Sequence, residues 1–283
     1  MFPMLRCNPA TREMNPLKAR IGYIPCVLLC GLASVAGAQD RRTTEAFDQY
    51  VTQAEARITE SRGKVDSFLA IDTLAPAQRV QMMTRLRPGE IVIAKHGDTP
   101  PQIPGGLIHD WVGTVFIPRT TIAQVLSLIQ DYDHSSRTYS PDVVQSRLVS
   151  HHGDDFQVFM RLKKHKVITV VMDTEYDVHY SRLDATHQYS SSRSTRVSEV
   201  GDPGTHSEHA LPAGHDHGFM WRLNSYWAFE QLDDGVLIEC EAVSLTRDIP
   251  AGLGWMIGPF VNSIPRESLQ FTLDATRKAL APN

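Results

Sequence analysis

The feature that most restricts the fold of this chain is a run of six strand-like segments with no helix-like segment between them. They cover residues 143–151, 155–163, 166–181, 187–199, 219–232 and 235–247. Several of the separators are turn sequences, as at 152–155, 183–186 and 233–235. Consecutive strands joined by short turns pair as an antiparallel meander. A second layer must then cover the apolar face of this sheet.

Helical segments flank the meander and supply that layer. A further strand is predicted at 111–118, and Thr120 or Thr121 then caps a helix whose apolar face is Ile122, Val125, Leu126 and Ile129. Residues 132–141 are predicted to be irregular or briefly helical. A final helix is predicted over 260–280, with Phe260, Ile264, Phe271 and Ala275 near one face and a possible start at Pro265. This order predicts an α+β domain in which one long C-terminal helix covers the sheet.

The N-terminus has the pattern of a secretory signal. Basic residues Lys18 and Arg20 precede the apolar run 21–38, which ends in Ala36-Gly37-Ala38. Cleavage is predicted after Ala38, which places the protein in the periplasm or outside the cell. The alternative is an uncleaved anchor, although the run is shorter than a comfortable membrane span. Met1 and Met14 are both possible starts.

Signal removal changes the composition that the fold must use. Three of the four cysteines are lost, and Cys240 alone cannot form an internal disulfide. The formal charge moves from −4 to −7, because four basic residues and one acidic residue leave. A mildly acidic chain without a basic tract predicts no nucleic-acid partner and no stable membrane insertion after cleavage. No cofactor motif is found, and the sequence does not indicate a protein partner.

Residues 39–106 are predicted to form an N-terminal extension, and residues 107–283 the main domain. The extension has helical spacing at Phe47, Tyr50, Val51, Ala54 and Ile58. Residues 66–87 are predicted to be partly helical, with Pro76 near a helix start, and 90–94 to form a short strand. The breaker-rich segment 100–106 then marks the domain boundary.

The order of elements over about 107–281 resembles the START-like (SRPBCC) superfamily. The most telling stretches are 221–230 (WRLNSYWAFE) and 236–250 (VLIECEAVSLTRDIP), which resemble bacterial members of this group, relatives of polyketide cyclases and coenzyme Q-binding START proteins. The resemblance implies a helix-grip fold: a curved antiparallel sheet of about seven strands wrapped around the C-terminal helix. It also implies a cavity between sheet and helix, without a shared catalytic motif.

Alternation of side chains along each strand predicts which residues face that cavity. The predicted set is mainly apolar, with a few polar groups, as is usual for apolar-ligand sites. Its members are Trp111, Phe156, Met160, Met172, Tyr176, Arg193, Trp221, Ser225, Trp227 and Cys240. Plain core packing is the alternative for each of them. Arg193 lies on a strand that is polar on both faces, so an outward Arg193 on an exposed strand is favoured over an inward one that meets a polar head group.

Strand parity also places the turn near 163–166, the loop 201–218 and the loop 248–259 at one end of the sheet, where the resemblance implies the cavity mouth. Ile249, Leu253, Trp255 and Met256 are the predicted apolar lip. The loop 201–218 contains His206, His209, His215 and His217, whose spacings can ligate zinc, copper or nickel. A pliable surface loop without specific metal binding is the favoured alternative.

No catalytic motif for a hydrolase, a metalloprotease or a nucleotide-dependent enzyme is found. The favoured function is therefore an exported protein that binds a hydrophobic small molecule or lipid, and whether it is an enzyme stays open. A cofactor-free cyclase or hydrolase that uses the same cavity is the second hypothesis. A structural or partner-binding protein with a filled core is the third.

Overall fold

The architecture was obtained from a computed structural model, which describes residues 27–97, 103–166, 168–212, 215–248 and 254–281. The five helices are α1 (Val27–Arg62), α2 (Pro76–Leu86), α3 (Ile122–Ile129), α4 (Ser135–Thr138) and α5 (Gly254–Leu280). Short 3₁₀ turns occur at Val65–Ser67, Ala70–Thr73 and Tyr132–His134. The strands are β1 (Val92–Lys95), β2 (Gly106–Pro118), β3 (Val143–His152), β4 (Asp155–His165), β5 (Thr169–Arg182), β6 (His187–Gly201), β7 (His209–Ala210), β8 (Arg222–Leu232) and β9 (Gly235–Arg247).

One antiparallel sheet contains all these strands. Its order is β1-β2-β9-β8-β6-β5-β4-β3, with the two-residue β7 paired to the end of β6. Register shifts interrupt the β3–β4 and β5–β6 ladders, and such bulges bend and twist a sheet. The six-strand meander is therefore confirmed. The last strand of the meander, β9, pairs with β2, so the first strand of the predicted domain lies beside the last.

Helix α5 packs across one face of the sheet, here called the concave face. Leu269 and Leu273 of α5 join a buried cluster with Val115, Ile117 and other residues of β2, β9 and α3. The approach is closest at Gly113, where a Cβ atom would stand 2.5 Å from the Cδ1 atom of Leu273. The fold is a helix grip, as the sequence predicts.

The N-terminal segments cover part of the opposite face, here called the outer face. Phe47, Val51 and Ile58 of α1 pack on Val243 and Leu245 of β9. The helical spacing predicted for residues 47–58 is thus confirmed. Further along, the 3₁₀ turns and α2 bury their own apolar residues, which are Phe68, Leu69, Ile71 and Leu86, against Phe116, Ala228 and Leu237. Strand β1, which lies in the predicted extension, pairs with β2.

Several predicted boundaries were wrong. Strand β2 begins at Gly106 and not at residue 111, because residues 106–110 continue the β9 ladder from Arg247 to Val243. Strand β8 begins at Arg222 and not at residue 219. Helix α5 begins at Gly254 and runs through Pro265, so proline did not mark its first turn. The most buried of its described side chains are Leu269, Leu273 and Thr276, whereas Ile264 and Phe271 of the predicted face line the space between α5 and the sheet.

Candidate functional site

A cavity of about 310 Å³ lies between the concave face and α5. It is bounded by strands β4, β5, β6, β8 and β9, by α5, and by the segment from α3 to the start of β3. The lining residues are Ile129, Tyr132, Ser135, Tyr139, Asp142, Val143, Val158, Met160, Leu162, Lys164, Met172, Tyr176, Val178, Tyr180, Ser190, Ser192, Phe219, Met220, Leu223, Ser225, Trp227, Cys240, Ala242, Ser244, Thr246, Ile264, Pro265, Ser268, Leu269, Phe271 and Thr272.

One end of the cavity is closed by aromatic side chains. The phenol oxygens of Tyr132 and Tyr180 lie 2.7 Å apart, so each satisfies the other in the interior. The ring of Phe156 packs against both, with centroid distances of 5.7 Å and 5.3 Å. Burial raises the pKa of Tyr132 to about 12, and burial likewise raises the pKa of Tyr176 to about 12. These phenols are therefore protonated at neutral pH.

The other end of the lining lies next to the loops that the sequence places at the mouth. Lys164 forms an ion pair with Asp142 there, and its ammonium nitrogen is 5.7 Å from the centroid of the Phe271 ring. Both charged side chains are about three-quarters buried. Ile249 and Leu253 lie outside the described residues. Trp255 and Met256 lie in α5, where the structure describes the backbone alone, so the four-residue lip stays a prediction.

Four serine hydroxyls form a patch on the cavity wall. Ser192 of β6 lies directly opposite Ser225 of β8, Ser190 lies opposite Trp227, and Ser244 of β9 lies opposite Leu223. Ser192 and Ser225 are directly paired, so their Cβ atoms are about 5 Å apart. Ser190 lies two residues from Ser192 on the same face of β6, and Ser244 lies diagonally from Ser225, where Cβ atoms are about 7–8 Å apart. We call Ser190, Ser192, Ser225 and Ser244 the serine patch.

Six of the predicted cavity residues lie on the cavity wall. They are Met160, Met172, Tyr176, Ser225, Trp227 and Cys240. Each lies inside a strand with regular pairing, where side chains alternate strictly between the two faces. The sequence therefore located the concave face of β4, β5, β8 and β9.

Two predicted residues lie on the concave face but away from the cavity, which corrects their assignment. Trp111 lies opposite Ala242 and packs beneath Lys95, whose ammonium nitrogen is 5.5 Å from the ring centroid. Strand β2 is where α5 rests directly on the sheet, so no space remains there. Phe156 is buried in the closed end, behind the pair of tyrosines.

Two others lie on the outer face, so their assignment to the cavity was wrong. Arg193 donates from Nε to Glu55 Oε1 of α1 at 2.5 Å, and more than half of its side chain is exposed. The favoured outward position of Arg193 is thus confirmed. Trp221 precedes the first residue of β8, so strand alternation does not extend to it. Its ring packs with the α1 cluster, and its Nε1–H donates to Asp216 Oδ1 at 2.9 Å.

Alternation missed part of the wall because some segments lack a readable pattern. Ser190 and Ser192 lie on the polar strand β6, where both faces look alike in sequence. Tyr132, Tyr139 and Asp142 come from the irregular connection between α3 and β3, which has no period at all. The phenol oxygen of Tyr139 lies 3.1 Å from Thr276 Oγ1, so this connection is tied to α5.

The histidines of the loop 201–218 do not gather around one point. His217 contacts Glu199 through Nδ1 at 2.6 Å, whereas His209 contacts the carbonyl oxygen of Ser207 at 2.8 Å. Within the described part of the chain, no three side chains of the His, Cys, Asp and Glu types are placed to hold a metal ion. The arrangement of His206, His209, His215 and His217 therefore gives the predicted metal site no support.

The ionisable groups of the cavity are unsuited to acid–base work. Cys240 is fully buried, and burial raises the pKa of its thiol far above neutrality. Burial raises the pKa values of Tyr132, Tyr176 and Tyr180 as well. Among the described lining residues, only Asp142 and Lys164 carry charge, and they neutralise each other. A general base poised near neutral pH is not found in this described lining.

Comparisons with known proteins return similar solved structures only. No protein-family model matches the chain, and no curated protein matches it. A STAR-related lipid transfer protein from Xanthomonas axonopodis is 19% identical over 67% of this chain and 98% of that one, with a TM-score of 0.42. A human lipid transfer and protein localization domain is 10% identical over 74% and 99% of the two chains, with a TM-score of 0.41. An aromatase/cyclase from Streptomyces sp. R1128 is 10% identical over 61% and 93%, with a TM-score of 0.40.

At these identities the similarity concerns the fold alone. The fold assignment rests on the chain's own topology, which is one antiparallel sheet in the order β1-β2-β9-β8-β6-β5-β4-β3 with α5 laid across β2 and the cavity. This chain has a helix-grip fold. Within the described residues, no helix combines the length and the apolar character that a membrane crossing requires.

Proposed function

We propose that this protein binds a hydrophobic small molecule or lipid in the cavity between its sheet and α5. The observation that carries the proposal is the cavity itself, which has about 310 Å³ of space and a wall that is mainly aliphatic and aromatic. Sites for small organic ligands have volumes of roughly 300–1,000 Å³ and this kind of lining. A core filled by its own side chains, as in the structural alternative, leaves no such space.

Binding is favoured over catalysis because of the chemistry of the wall. An enzyme of the cyclase or hydrolase type needs polar groups with pKa values matched to proton transfer. The phenols and the thiol on this wall have raised pKa values, and the one charged pair among its described residues is internally neutralised. The wall is therefore suited to holding a ligand rather than to moving its protons.

Filling the cavity tests the proposal. Ala242 lies on the wall opposite Ser225, so Ala242→Phe places a phenyl group in the ligand space. The probe is N-phenyl-1-naphthylamine, a neutral apolar molecule that fluoresces when it leaves water. We expect the wild-type protein to bind it and A242F to bind it at least tenfold more weakly. Native mass spectrometry of protein purified without detergent should show a co-purified apolar molecule in the wild type alone.

The matched control adds the same phenyl group elsewhere. Val149 on β3 is 54% exposed and lies away from the cavity, so V149F should bind the probe as the wild type does. Failure of the wild-type protein to bind the probe, or equal binding by A242F, would count against a cavity binder. The structural alternative would then be favoured.

We also propose that the protein is exported, with cleavage after Ala38. The basic and apolar pattern of residues 18–38 supports this, as does the position of the docked part of α1. Among the α1 residues whose side chains the structure describes, which begin at Arg41, Thr43 and Phe47 are the first that are buried, and both would remain after cleavage at Ala38. The intact mass of protein from a periplasmic fraction should match residues 39–283. A protein that keeps residues 21–38 and fractionates with membranes would support the anchor instead.

A further inference from the structure

The hydroxyls of the serine patch make no hydrogen bonds within the described protein, although they lie on an otherwise mainly apolar wall. Ser190 and Ser244 are 4% and 6% exposed, and both lie on the cavity wall. None of the four serine hydroxyls makes a hydrogen bond to another described residue, whereas Ser194, next along β6, accepts one from the backbone N–H of Leu223. A buried hydroxyl without a partner is unfavourable by about 1–3 kcal/mol. None of the four oxygens is among the fully buried unpartnered side-chain atoms of the described residues, so they open onto the cavity space. A ligand that displaces water from that space must replace the hydrogen bonds that water makes with them.

The position of the patch says which part of a ligand it would meet. One row of residues paired across the sheet, from β5 to β9, consists of Val178, Ser192, Ser225 and Ala242. The neighbouring row, from β5 to β8, consists of Tyr180, Ser190 and Trp227. Tyr180 and Phe156 of the closed end belong to these same two rows, so the patch begins beside the closed end, and Ser244 continues it one row toward the mouth. A ligand whose only polar group stays at the mouth, beside the Asp142–Lys164 pair, would leave the patch unsatisfied.

The charged groups on the cavity wall restrict the class of ligand further. The two charged groups of the described wall are paired with each other, so an anionic head group would find no free cation there. A buried unpaired charge is strongly unfavourable, whereas hydroxyls satisfy neutral oxygen atoms well. The wall therefore favours uncharged polar groups on an apolar body.

We infer that the ligand is a neutral molecule with hydroxyl or carbonyl oxygens on its apolar body, and that the serine patch recognises those oxygens. The inference rests on the proposed function, since it concerns the same cavity. It distinguishes oxygen-bearing ring or chain compounds from plain hydrocarbon tails and from anionic amphiphiles. Ser192 and Ser225 are the central pair, because they face each other across β6 and β8.

Matched tricyclic probes test the inference. Fluorene has no oxygen, 9-fluorenone adds one carbonyl to the same framework, and fluorene-9-carboxylate adds a charge. The measured quantity is the ratio of the Kd of fluorene to the Kd of fluorenone. The two probes differ in hydrophobicity by the same amount for every variant, so this difference cancels when the ratios of two variants are compared. We expect S192A/S225A to lower this ratio by about threefold to tenfold, as for the loss of one hydrogen bond. The affinity for fluorene itself should be unchanged, which also shows that the variant is folded.

The control is Ser191→Ala, on the same strand but the outer face, which should leave the ratio unchanged. A ratio that S192A/S225A leaves unchanged would overturn the inference, as would tighter binding of the carboxylate than of fluorenone by the wild-type protein. Either result leaves the proposed function standing, provided that A242F still blocks N-phenyl-1-naphthylamine. Failure of all the neutral probes to bind would overturn both.

Discussion

The Arg62→Met substitution is expected to lower the free energy of unfolding by about 3–5 kcal/mol. Arg62, at the end of α1, donates to Glu239 Oε1 at 2.8 Å, and both side chains are 5% exposed. Methionine keeps the bulk of the side chain but leaves the carboxylate of Glu239 without its cation. Removal of one partner from a buried pair is unfavourable chiefly because the other charge remains in the interior. Urea unfolding followed by circular dichroism measures the change.

The double variant R62M/E239Q separates the charge effect from packing. Glutamine is uncharged and can still accept the backbone N–H of Ala70, which now donates to Glu239 Oε2 at 2.8 Å. We therefore expect the double variant to recover most of the lost stability. The exposed pair of Arg85 and Glu90 is the control, and R85M should change stability by less than about 1 kcal/mol. Equal effects of R62M and R85M would show that burial of the pair contributes nothing.

The ion pairs under α1 show why part of this fold could not be read from the sequence. Glu239 and Glu241 lie on the face of β9 opposite Cys240 and Ala242, and charged residues on one face of a strand are typical of a face that meets solvent. The structure covers it with α1, so both carboxylates are 3% exposed. Amphipathic spacing predicted the helix and its apolar residues, but a local pattern does not say which surface a helix covers.

The concave side was easier to predict because its pattern is local. Regular alternation in β4, β5, β8 and β9 identified six wall residues, and the order of the elements predicted the helix grip. The errors occur where alternation stops, as at Trp221 before β8, or where both faces of a strand are polar and cannot be told apart, as at Arg193 on β6. Ser190 and Ser192 of the serine patch were missed for the same reason, although Ser225 on β8 was found.

A second buried acid makes the contact between α1 and the sheet sensitive to pH. Asp110 of β2 is 1% exposed, accepts the Tyr50 hydroxyl on Oδ2 at 2.7 Å, and has no hydrogen-bond partner among the described residues for its buried Oδ1. Burial, followed by the negative charge of Glu241, raises its pKa to about 7, despite Arg57 nearby. The folded protein thus holds a proton that an unfolded aspartate loses near pH 4.

The consequence is a loss of stability as pH rises from about 4 to about 7, because the folded state binds more protons than the unfolded state there. Neighbouring His109 acts in the opposite sense: burial, followed by the charge of Lys95, lowers its pKa to about 4, so its contribution rises with pH over the lower part of that range. These two slopes offset each other in the wild-type protein. Asp110→Asn removes the pH-dependent contribution of Asp110 and keeps an oxygen that accepts the Tyr50 hydroxyl. Its stability relative to wild type should therefore increase by roughly 2–4 kcal/mol between pH 4 and pH 7.

Urea unfolding of both proteins at pH 4, 5.5 and 7 measures that difference, and the matched variant His109→Asn should show the opposite trend. Parallel stability curves for D110N and wild type would mean that Asp110 is ionised when α1 is docked, with Arg57 as its effective partner. Diverging curves would mean that α1 packs on a protonated carboxyl group beside the charged Glu241–Arg57 pair. The outer face, which shapes no part of the cavity wall, would then make the stability of this helix-grip fold depend on pH.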